Sequence, residues 1–176
     1  GLGLLDKNYI MDKIEEMAKA YLLLGTNLGK LKENLANALK LLKLHQIKIL
    51  KTSKIYKTKP WGKVDQPDFL NMAVAVETSY TPHELLKMLK EIEKTMKRRD
   101  EEKWGPRIID IDILFYEDQI INDDDLVIPH PYFFERNFAI IPLAEIAPDF
   151  IPPARDKTIK ELKDEVGSEG IEIYCD

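Results

Sequence analysis

The chain has 176 residues, a formal net charge of −5 and a pI near 5.4, which suits one domain and excludes binding of nucleic acid through bulk charge. It has one cysteine, Cys175, so no disulfide can form within the chain, and no apolar run approaches the roughly 20 residues that span a membrane. The single cysteine fits a reducing cytoplasm, and we expect no nucleic-acid or membrane partners. We also expect a monomer. Residues 1–17 are interpreted as an N-terminal extension (from cloning, a linker or a fusion), and residues 18–176 as the domain.

Hydrophobic periodicity predicts alternating strands and helices. Apolar residues recur at every second position in strands and at three- and four-residue spacing in helices. The predicted order is strand 18–24, helix 30–44, strand 47–56, strand 69–79, a helix from the Thr81-Pro82-His83-Glu84 capping box, and a strand after Ile109. This βαββαβ order predicts an α+β, ferredoxin-like plait with two helices packed on an antiparallel sheet. Helices at 132–146 and 157–166 and a short terminal strand at 171–174 are expected to follow.

The last strand of that plait carries two aspartates on one face. From Ile109 the pattern alternates, so Ile109, Ile111, Ile113 and Phe115 are predicted to point into the core, and Asp110 and Asp112 away from it. Same-face neighbours on a strand lie roughly 6.6–7 Å apart, and two carboxylates at that distance suit one or two Mg²⁺ ions. The alternative is an ordinary strand with apolar residues inward and charged residues outward.

Further polar and aromatic residues have both a structural and a functional interpretation. The Arg98–Arg99 pair either complements a helix dipole or clamps phosphate. His130, held between two prolines, is a candidate phosphate ligand, and Asn71 either bonds the backbone or reads the edge of a heterocycle. The seven lysines between Lys43 and Val64 form either a solvated face or a positive field for phosphates.

Four motifs together resemble one family, the 6-hydroxymethyl-7,8-dihydropterin pyrophosphokinases, over about residues 20–146. They are Gly-Thr-Asn-Leu-Gly at 25–29, Asp-Gln-Pro-Asp-Phe-Leu-Asn at 65–71, Trp-Gly-Pro-Arg at 104–107 with Asp-Ile-Asp-Ile at 110–113, and Pro-His-Pro at 129–131 with Arg136 and Phe138. The resemblance implies transfer of pyrophosphate from ATP to the hydroxymethyl group of the pterin, with release of AMP, in folate biosynthesis.

The same resemblance implies a role for each matched residue. Asp110 and Asp112 would hold two Mg²⁺ ions and act in catalysis with Arg107 and with Arg98 or Arg99, whose register leaves both open. The residues implied at ATP are Trp104, Arg107, Ile113, His130, Arg136 and Glu93, and the same ambiguity of register applies to Glu93 as an adenosine contact. Those implied at the pterin are Thr58, Trp61, Phe69, Asn71 and Phe138. Asp125 departs from the pattern, since some members place an ATP-facing arginine there.

Two other classes of protein were weighed. A ferredoxin-like plait also serves as a non-catalytic ligand-binding or regulatory module, which would explain the fold but not the paired carboxylates beside arginines. An RNA-binding plait needs exposed aromatic residues on its central strands and a basic surface, and this acidic chain carries Ile-Asp-Ile-Asp instead. The only partners expected are ATP and the pterin, together with fusion to, or association with, another folate enzyme.

Overall fold

The nine-residue apolar run Ala18–Thr26 forms the central strand β1, buried almost along its full length. The computed structural model describes residues 16–60, 65–97 and 107–175. The other strands are β2 Lys48–Thr52, β3 Tyr56–Thr58, β4 Phe69–Thr78, β5 Asp110–Tyr116, β6 Ile121–Asn122, β7 Val127–Ile128 and β8 Ile171–Ile173. The helices are α1 Leu31–Leu44, α2 Pro82–Met96, α3 Asn137–Ile146 and α4 Ile159–Glu165, with a 3₁₀ turn at Phe133–Glu135.

The main sheet is antiparallel and has the order β5-β1-β4-β3-β8, with β2 also pairing with β4. β6 and β7 form a separate hairpin. The order confirms the ferredoxin-like plait, with β8 as the short terminal strand added beside β3. The Thr81–Glu84 capping box predicted for α2 is present, with both reciprocal hydrogen bonds.

Helices cover both faces of this sheet. On the first face, α1 and α2 pack over alternate residues of the central strands, including Leu22, Leu24, Val74 and Val76. On the second face, α3 and the 3₁₀ turn pack over the intervening residues, including Leu23, Ala73 and Ala75. Because both faces are buried, β1 and β4 read as nearly continuous apolar runs in the sequence.

The prediction that Phe115 shares the face of Ile109 was wrong. The pairing of β1 with β5 shifts between Tyr21 and Leu22, so β5 carries one extra residue there. This bulge turns Phe115 onto the second face, where its ring lies 4.8 Å from that of Phe133. Ile109, Ile111 and Ile113 lie in the first-face core, as predicted.

The single strand predicted over residues 47–56 is two strands. Ser53 separates them: its N–H donates to the Ala73 carbonyl at 2.9 Å, and its Oγ accepts from the Ala73 N–H at 2.9 Å. Lys48, Lys51 and Lys57 of the lysine-rich stretch lie on β2 and β3, on the other side of β4 from the aspartates. Lys43 belongs to α1, and Lys63 lies outside the described residues. Three strand spacings, about 14 Å, separate β2 from β5, which favours the interpretation as a solvated, charged sheet margin.

None of the helices described for residues 16–60, 65–97 and 107–175 combines the length and apolar character needed to cross a bilayer. Nearly all of the N-terminal extension, residues 1–15, lies outside the described residues, so its interpretation stays a prediction.

Candidate active site

The register of the sheet places one polar row across three strands. Asp110 on β5 lies opposite Gly25 on β1, and Gly25 lies opposite Asn71 on β4. Directly opposite residues of antiparallel strands project to the same face, here the second face. At about 4.8 Å per strand, the row places Asp110 and Asn71 about 10 Å apart. We call this row the Asp110–Asn71 strip.

Gly25 keeps the strip open at its centre. A Cβ at this position would lie 2.9 Å from Asn71 Nδ2 and 3.6 Å from Phe69 Cδ1. The first distance is shorter than a van der Waals contact, so any larger residue would displace the amide of Asn71. Glycine at this strand position lets the Asn71 side chain approach the β1 backbone closely.

Hydrogen bonds orient the amide of Asn71. Its Oδ1 accepts from the Thr58 hydroxyl at 2.6 Å, and its Nδ2 donates to the Leu24 carbonyl at 3.3 Å. Thr58 and Asn71 are buried, and half-buried Phe69 lies opposite Thr58 in the pairing of β3 with β4. Three residues predicted to contact the heterocycle thus meet at one end of these strands. Within the part of the chain that the structure describes, these two bonds leave one amide N–H and part of the oxygen capacity for a ligand.

Arg136 and Phe138 begin α3 on the same face of the sheet. The Arg136 guanidinium carbon lies 5.1 Å from the Tyr132 ring centroid and 5.3 Å from that of Phe138, which is stacking distance for a cation on an aromatic face. Phe138 also packs against the second-face core. Burial lowers the pKa of Arg136, and the nearby Asp112 carboxylate acts in the opposite direction. The two side chains are therefore close enough for their charges to interact.

His130 lies beside Asp112 as a neutral hydrogen-bond donor. Its backbone N–H donates to the Leu114 carbonyl at 3.0 Å, which fixes the residue against β5. Its Nδ1 accepts from the Tyr132 N–H at 3.3 Å, so the network assigns the ring proton to Nε2, which lies 3.9 Å from Asp112 Oδ2. Burial, with a smaller effect of Arg136, lowers the pKa of His130 to about 4. The imidazole therefore presents an uncharged N–H at neutral pH.

The surroundings of Asp112 disfavour the charged form of its carboxyl group. Desolvation, then repulsion from Asp110 and Glu93, raises its pKa to about 6, against the opposing effect of Arg136 and Lys90. Its side chain nevertheless keeps 43% of its surface exposed, so an ion can reach it from solvent. Two carboxylates on one strand face that repel each other, and that remain open to solvent, fit a hard divalent cation with oxygen ligands.

Asp112 and His130 are expected to give opposite pH signatures in the metal-free protein. The folded pKa of Asp112 is above its ordinary 3.8, so its contribution to the free energy of unfolding falls as pH rises from about 4 to 6. The folded pKa of His130 is below its ordinary 6.5, so its contribution rises as pH rises from about 4 to 6.5. Urea denaturation at several pH values should show a steeper rise of stability with pH in Asp112→Asn than in the wild type. His130→Gln should show a shallower one, and identical slopes in all three proteins would contradict the assignment.

Two residues predicted near ATP lie on the other side of β5. Glu93 is buried on α2, where its Oε2 accepts from the Ile111 N–H at 2.8 Å at the outer edge of β5. The Ile113 side chain is buried in the first-face core. The structure does not bring these two side chains onto the face that carries Asp110 and Asp112, so contact with ATP stays a prediction for both.

Two residues at the site had no role assigned from the sequence, although Asn27 belongs to the motif at 25–29. Asn27 donates through Nδ2 to the Pro67 carbonyl at 3.1 Å and accepts through Oδ1 from the Arg107 N–H at 2.6 Å. It thereby joins the turn after β1 to the segments that precede β4 and β5, and it fixes the backbone of Arg107. Lys97, at the end of α2, places its Nζ 3.3 Å from Asp110 Oδ1. The signal for Lys97 was its place in a basic helix terminus, whose charge has a general explanation in the helix dipole.

Four predicted site residues lie outside the described residues: Trp61, Arg98, Arg99 and Trp104. Their roles stay predictions. The family pattern has an arginine in some members where this chain has Asp125. Asp123 and Asp125 lie in the β6–β7 hairpin beside His83 of α2, and Asp125 Oδ1 is 3.7 Å from His83 Nε2.

Comparison with known proteins gives one consistent family. Residues 21–148 match the family model described as 7,8-dihydro-6-hydroxymethylpterin-pyrophosphokinase. The chain is 44% identical over 157 residues to the 2-amino-4-hydroxy-6-hydroxymethyldihydropteridine pyrophosphokinase of Methylorubrum extorquens, covering 89% of this chain and 98% of that protein. Identity to the enzyme of the same name from Aquifex aeolicus is 43% over 150 residues, covering 85% and 92%.

Longer relatives contain the same unit. A folic acid synthesis protein of Dictyostelium discoideum is 44% identical over 143 residues, which are 81% of this chain and 22% of that protein. The HPPK-DHPS crystal structure of Plasmodium falciparum superposes with a TM-score of 0.70 at 22% identity, covering 85% of this chain and 45% of that one. At that identity the superposition supports the fold.

Proposed function

This chain belongs to the 7,8-dihydro-6-hydroxymethylpterin-pyrophosphokinase family, the ATP-dependent pyrophosphokinases of folate biosynthesis, and we propose that its reaction takes place over the Asp110–Asn71 strip. The metal-bound phosphates of ATP would lie at the Asp110 end and the pterin at the Asn71 end. The observation that carries the proposal is the register: a carboxylate and an oriented amide stand on one face, on either side of a glycine. The separation of about 10 Å leaves room for the hydroxymethyl group and the β-phosphorus between them.

Asp110 and Asp112 are the residues proposed to hold Mg²⁺, as two ions. When bound, the metal supplies charge neutralisation on the phosphates and lowers the pKa of a nearby hydroxyl group. The raised pKa of Asp112 supports this role, because a bound cation would offset the repulsion from Asp110 and Glu93 that contributes to it.

The phosphates would be held by one neutral and several charged hydrogen-bond donors. His130 offers the Nε2–H, while Arg136 and Arg107 offer guanidinium groups, with Arg98 or Arg99 as a further candidate. The hydroxymethyl oxygen then attacks the β-phosphorus, the bond from β-phosphorus to the α,β-bridging oxygen breaks, AMP leaves, and the hydroxyl proton is lost. Such transfer depends on alignment and on charge stabilisation more than on covalent help from the protein.

The pterin would lie flat on the second face, with Asn71 on its hydrogen-bonding edge. Thr58 holds the Asn71 amide in place, Phe69 flanks it, and the Phe138 ring comes from α3 above the sheet. Trp61 would stack against the ring, and Trp104 would lie near the nucleotide.

We also propose that the protein acts in the cytoplasm as a monomer, alone or joined to another folate enzyme. The support for the last point is the occurrence of this unit within longer proteins, such as the folic acid synthesis protein of Dictyostelium discoideum. Residues 1–17 would then be a linker or the remainder of a fusion.

The reaction is tested by product analysis. The protein is incubated with ATP, Mg²⁺ and 6-hydroxymethyl-7,8-dihydropterin, and AMP and ADP are quantified. We expect AMP in equal amount to the pterin consumed, and none without the pterin or with EDTA. Formation of ADP, or ATP binding without turnover, would contradict the proposal, and the second result would favour a binding module.

Gly25→Ala should weaken pterin binding. The added Cβ, 2.9 Å from Asn71 Nδ2, would shift an amide that Thr58 and Leu24 orient. Loss of one oriented hydrogen bond corresponds to a weakening of about fivefold to tenfold. The measurement is calorimetric titration with the pterin and a non-hydrolysable ATP analogue. Gly167→Ala is the matched control, because a Cβ there meets no atom within 4 Å. Equal pterin affinity in the two variants would contradict the role of the strip.

A further inference from the structure

Lys97 lies at the junction between α2 and the proposed metal site. It is the C-cap residue of α2, and its backbone N–H still bonds the Glu93 carbonyl at 2.8 Å. Its side chain is 17% exposed, and Nζ lies 3.3 Å from Asp110 Oδ1. The ammonium group therefore rests on one of the two carboxylates proposed to bind metal.

Other charged side chains surround the contact between Lys97 and Asp110. Glu93, one turn earlier on α2, pairs with Lys90 at 3.4 Å and bonds the backbone of β5 between Asp110 and Asp112. On the second face, Arg136 acts on Asp112, and His130 is neutral. Three carboxylates thus converge on a short segment of β5, and Lys97 supplies positive charge at Asp110.

We propose that Lys97 is an internal counter-ion for Asp110, which competes with the divalent cation and so sets the affinity of the metal site. This inference rests on the proposed role of Asp110 as a metal ligand. In the metal-free protein, Lys97 offsets the charge of Asp110. When metal binds, the lysine gives up this contact.

The chemistry of lysine suits a displaceable counter-ion. Its ammonium is a single, strongly hydrated charge on a flexible four-carbon stem, whereas arginine would hold a carboxylate through a rigid two-point contact. Lys97 also stands just beyond the last helical residue, Met96, so its side chain can move without disturbing the hydrogen bonds of α2. A divalent cation coordinated by two carboxylates outcompetes one partly exposed ammonium.

The test is a calorimetric titration of the metal-free protein with Mn²⁺ in the absence of nucleotide. Lys97→Met keeps the aliphatic stem and removes the charge. We expect it to bind Mn²⁺ about tenfold more tightly than the wild type, because a neighbouring cation no longer opposes the metal. Lys94→Met is the matched control: it removes the same charge from the exposed side of the same helix end, and its affinity should stay at the wild-type value.

Thermal denaturation supplies a second readout that does not depend on activity. In EDTA, Lys97→Met should melt below the wild type, since Asp110 loses its counter-ion. Saturating Mn²⁺ should remove most of that difference, while the Lys94→Met curve should follow the wild type in both conditions. A purely structural role for Lys97 would leave the same deficit with and without metal.

The outcomes separate this inference from the proposed function. Normal Mn²⁺ binding by the wild type with equal or weaker binding by Lys97→Met would overturn the counter-ion role alone. Absence of Mn²⁺ binding in both proteins, unchanged by an ATP analogue, would overturn the metal role of Asp110 and the inference together. Tighter binding in Lys97→Met that Asp110→Asn abolishes in the double variant would support it.

Discussion

Asp112→Asn is expected to abolish turnover while making the metal-free protein more stable at neutral pH. The substitution removes a carboxylate proposed to hold metal at the transferring phosphates, and loss of one such electrostatic group costs on the order of a thousandfold in rate. The same substitution removes a charge whose pKa is raised to about 6 by burial, Asp110 and Glu93. A neutral amide of the same shape relieves that unfavourable state above pH 6.

The two effects of Asp112→Asn are measured separately. Steady-state AMP formation gives the loss of turnover, and thermal melts at pH 7 in EDTA give the gain in stability. Asp149→Asn is the control, because it removes one exposed carboxylate outside the site. It should leave both quantities near the wild-type values. Near-normal turnover in Asp112→Asn would remove Asp112 from the metal site.

Phe138→Ala is expected to weaken pterin binding by about tenfold or more and to leave ATP binding nearly unchanged. Phe138 lies in the first turn of α3, over the face that carries Asn71. One side of its ring packs against the second-face core. Removing it takes away an aromatic surface for the pterin. Arg136 keeps Tyr132 as a stacking partner at 5.1 Å, so a phosphate contact through Arg136 should survive.

Phe134→Ala is the control for Phe138→Ala, because it separates binding from packing. Phe134 also packs against the second-face core and lies edge-on to Phe115 at 6.4 Å. Both variants should lose stability, but only Phe138→Ala should lose pterin affinity in calorimetric titration. Equal loss of ATP and pterin affinity in Phe138→Ala would place this ring outside the pterin pocket.

The order of elements followed from the sequence because local patterns specify it. Periodicity located β1, β4 and both plait helices, and the Thr81–Glu84 capping box marked the start of α2. The strand bulge that reverses Phe115 was not visible, because a bulge adds one residue without changing the hydrophobic character of the run. The division of residues 47–56 into two strands depends on Ser53 pairing with Ala73, a contact between distant parts of the chain.

The candidate site was predicted only in part, because local motifs can be recognised in the sequence but contacts between distant segments cannot. Asp110 and Asp112 are recognisable on a single strand, and the family motifs indicated Asn71, His130 and Phe138. The strip itself required strand register, because Gly25 acquires its importance only from lying between Asp110 and Asn71. The roles of Asn27 and Lys97 depend on long-range hydrogen bonds and ion pairs that no local pattern encodes.

The most direct test of this account is a crystal structure with Mn²⁺, a non-hydrolysable ATP analogue and the pterin. Anomalous scattering locates the metal, and the map gives the distance from the hydroxymethyl oxygen to the β-phosphorus. The account predicts metal on Asp110 and Asp112, the pterin edge on Asn71, and the reacting atoms between them above Gly25. Metal bound elsewhere, or a pterin away from the Asp110–Asn71 strip, would contradict it.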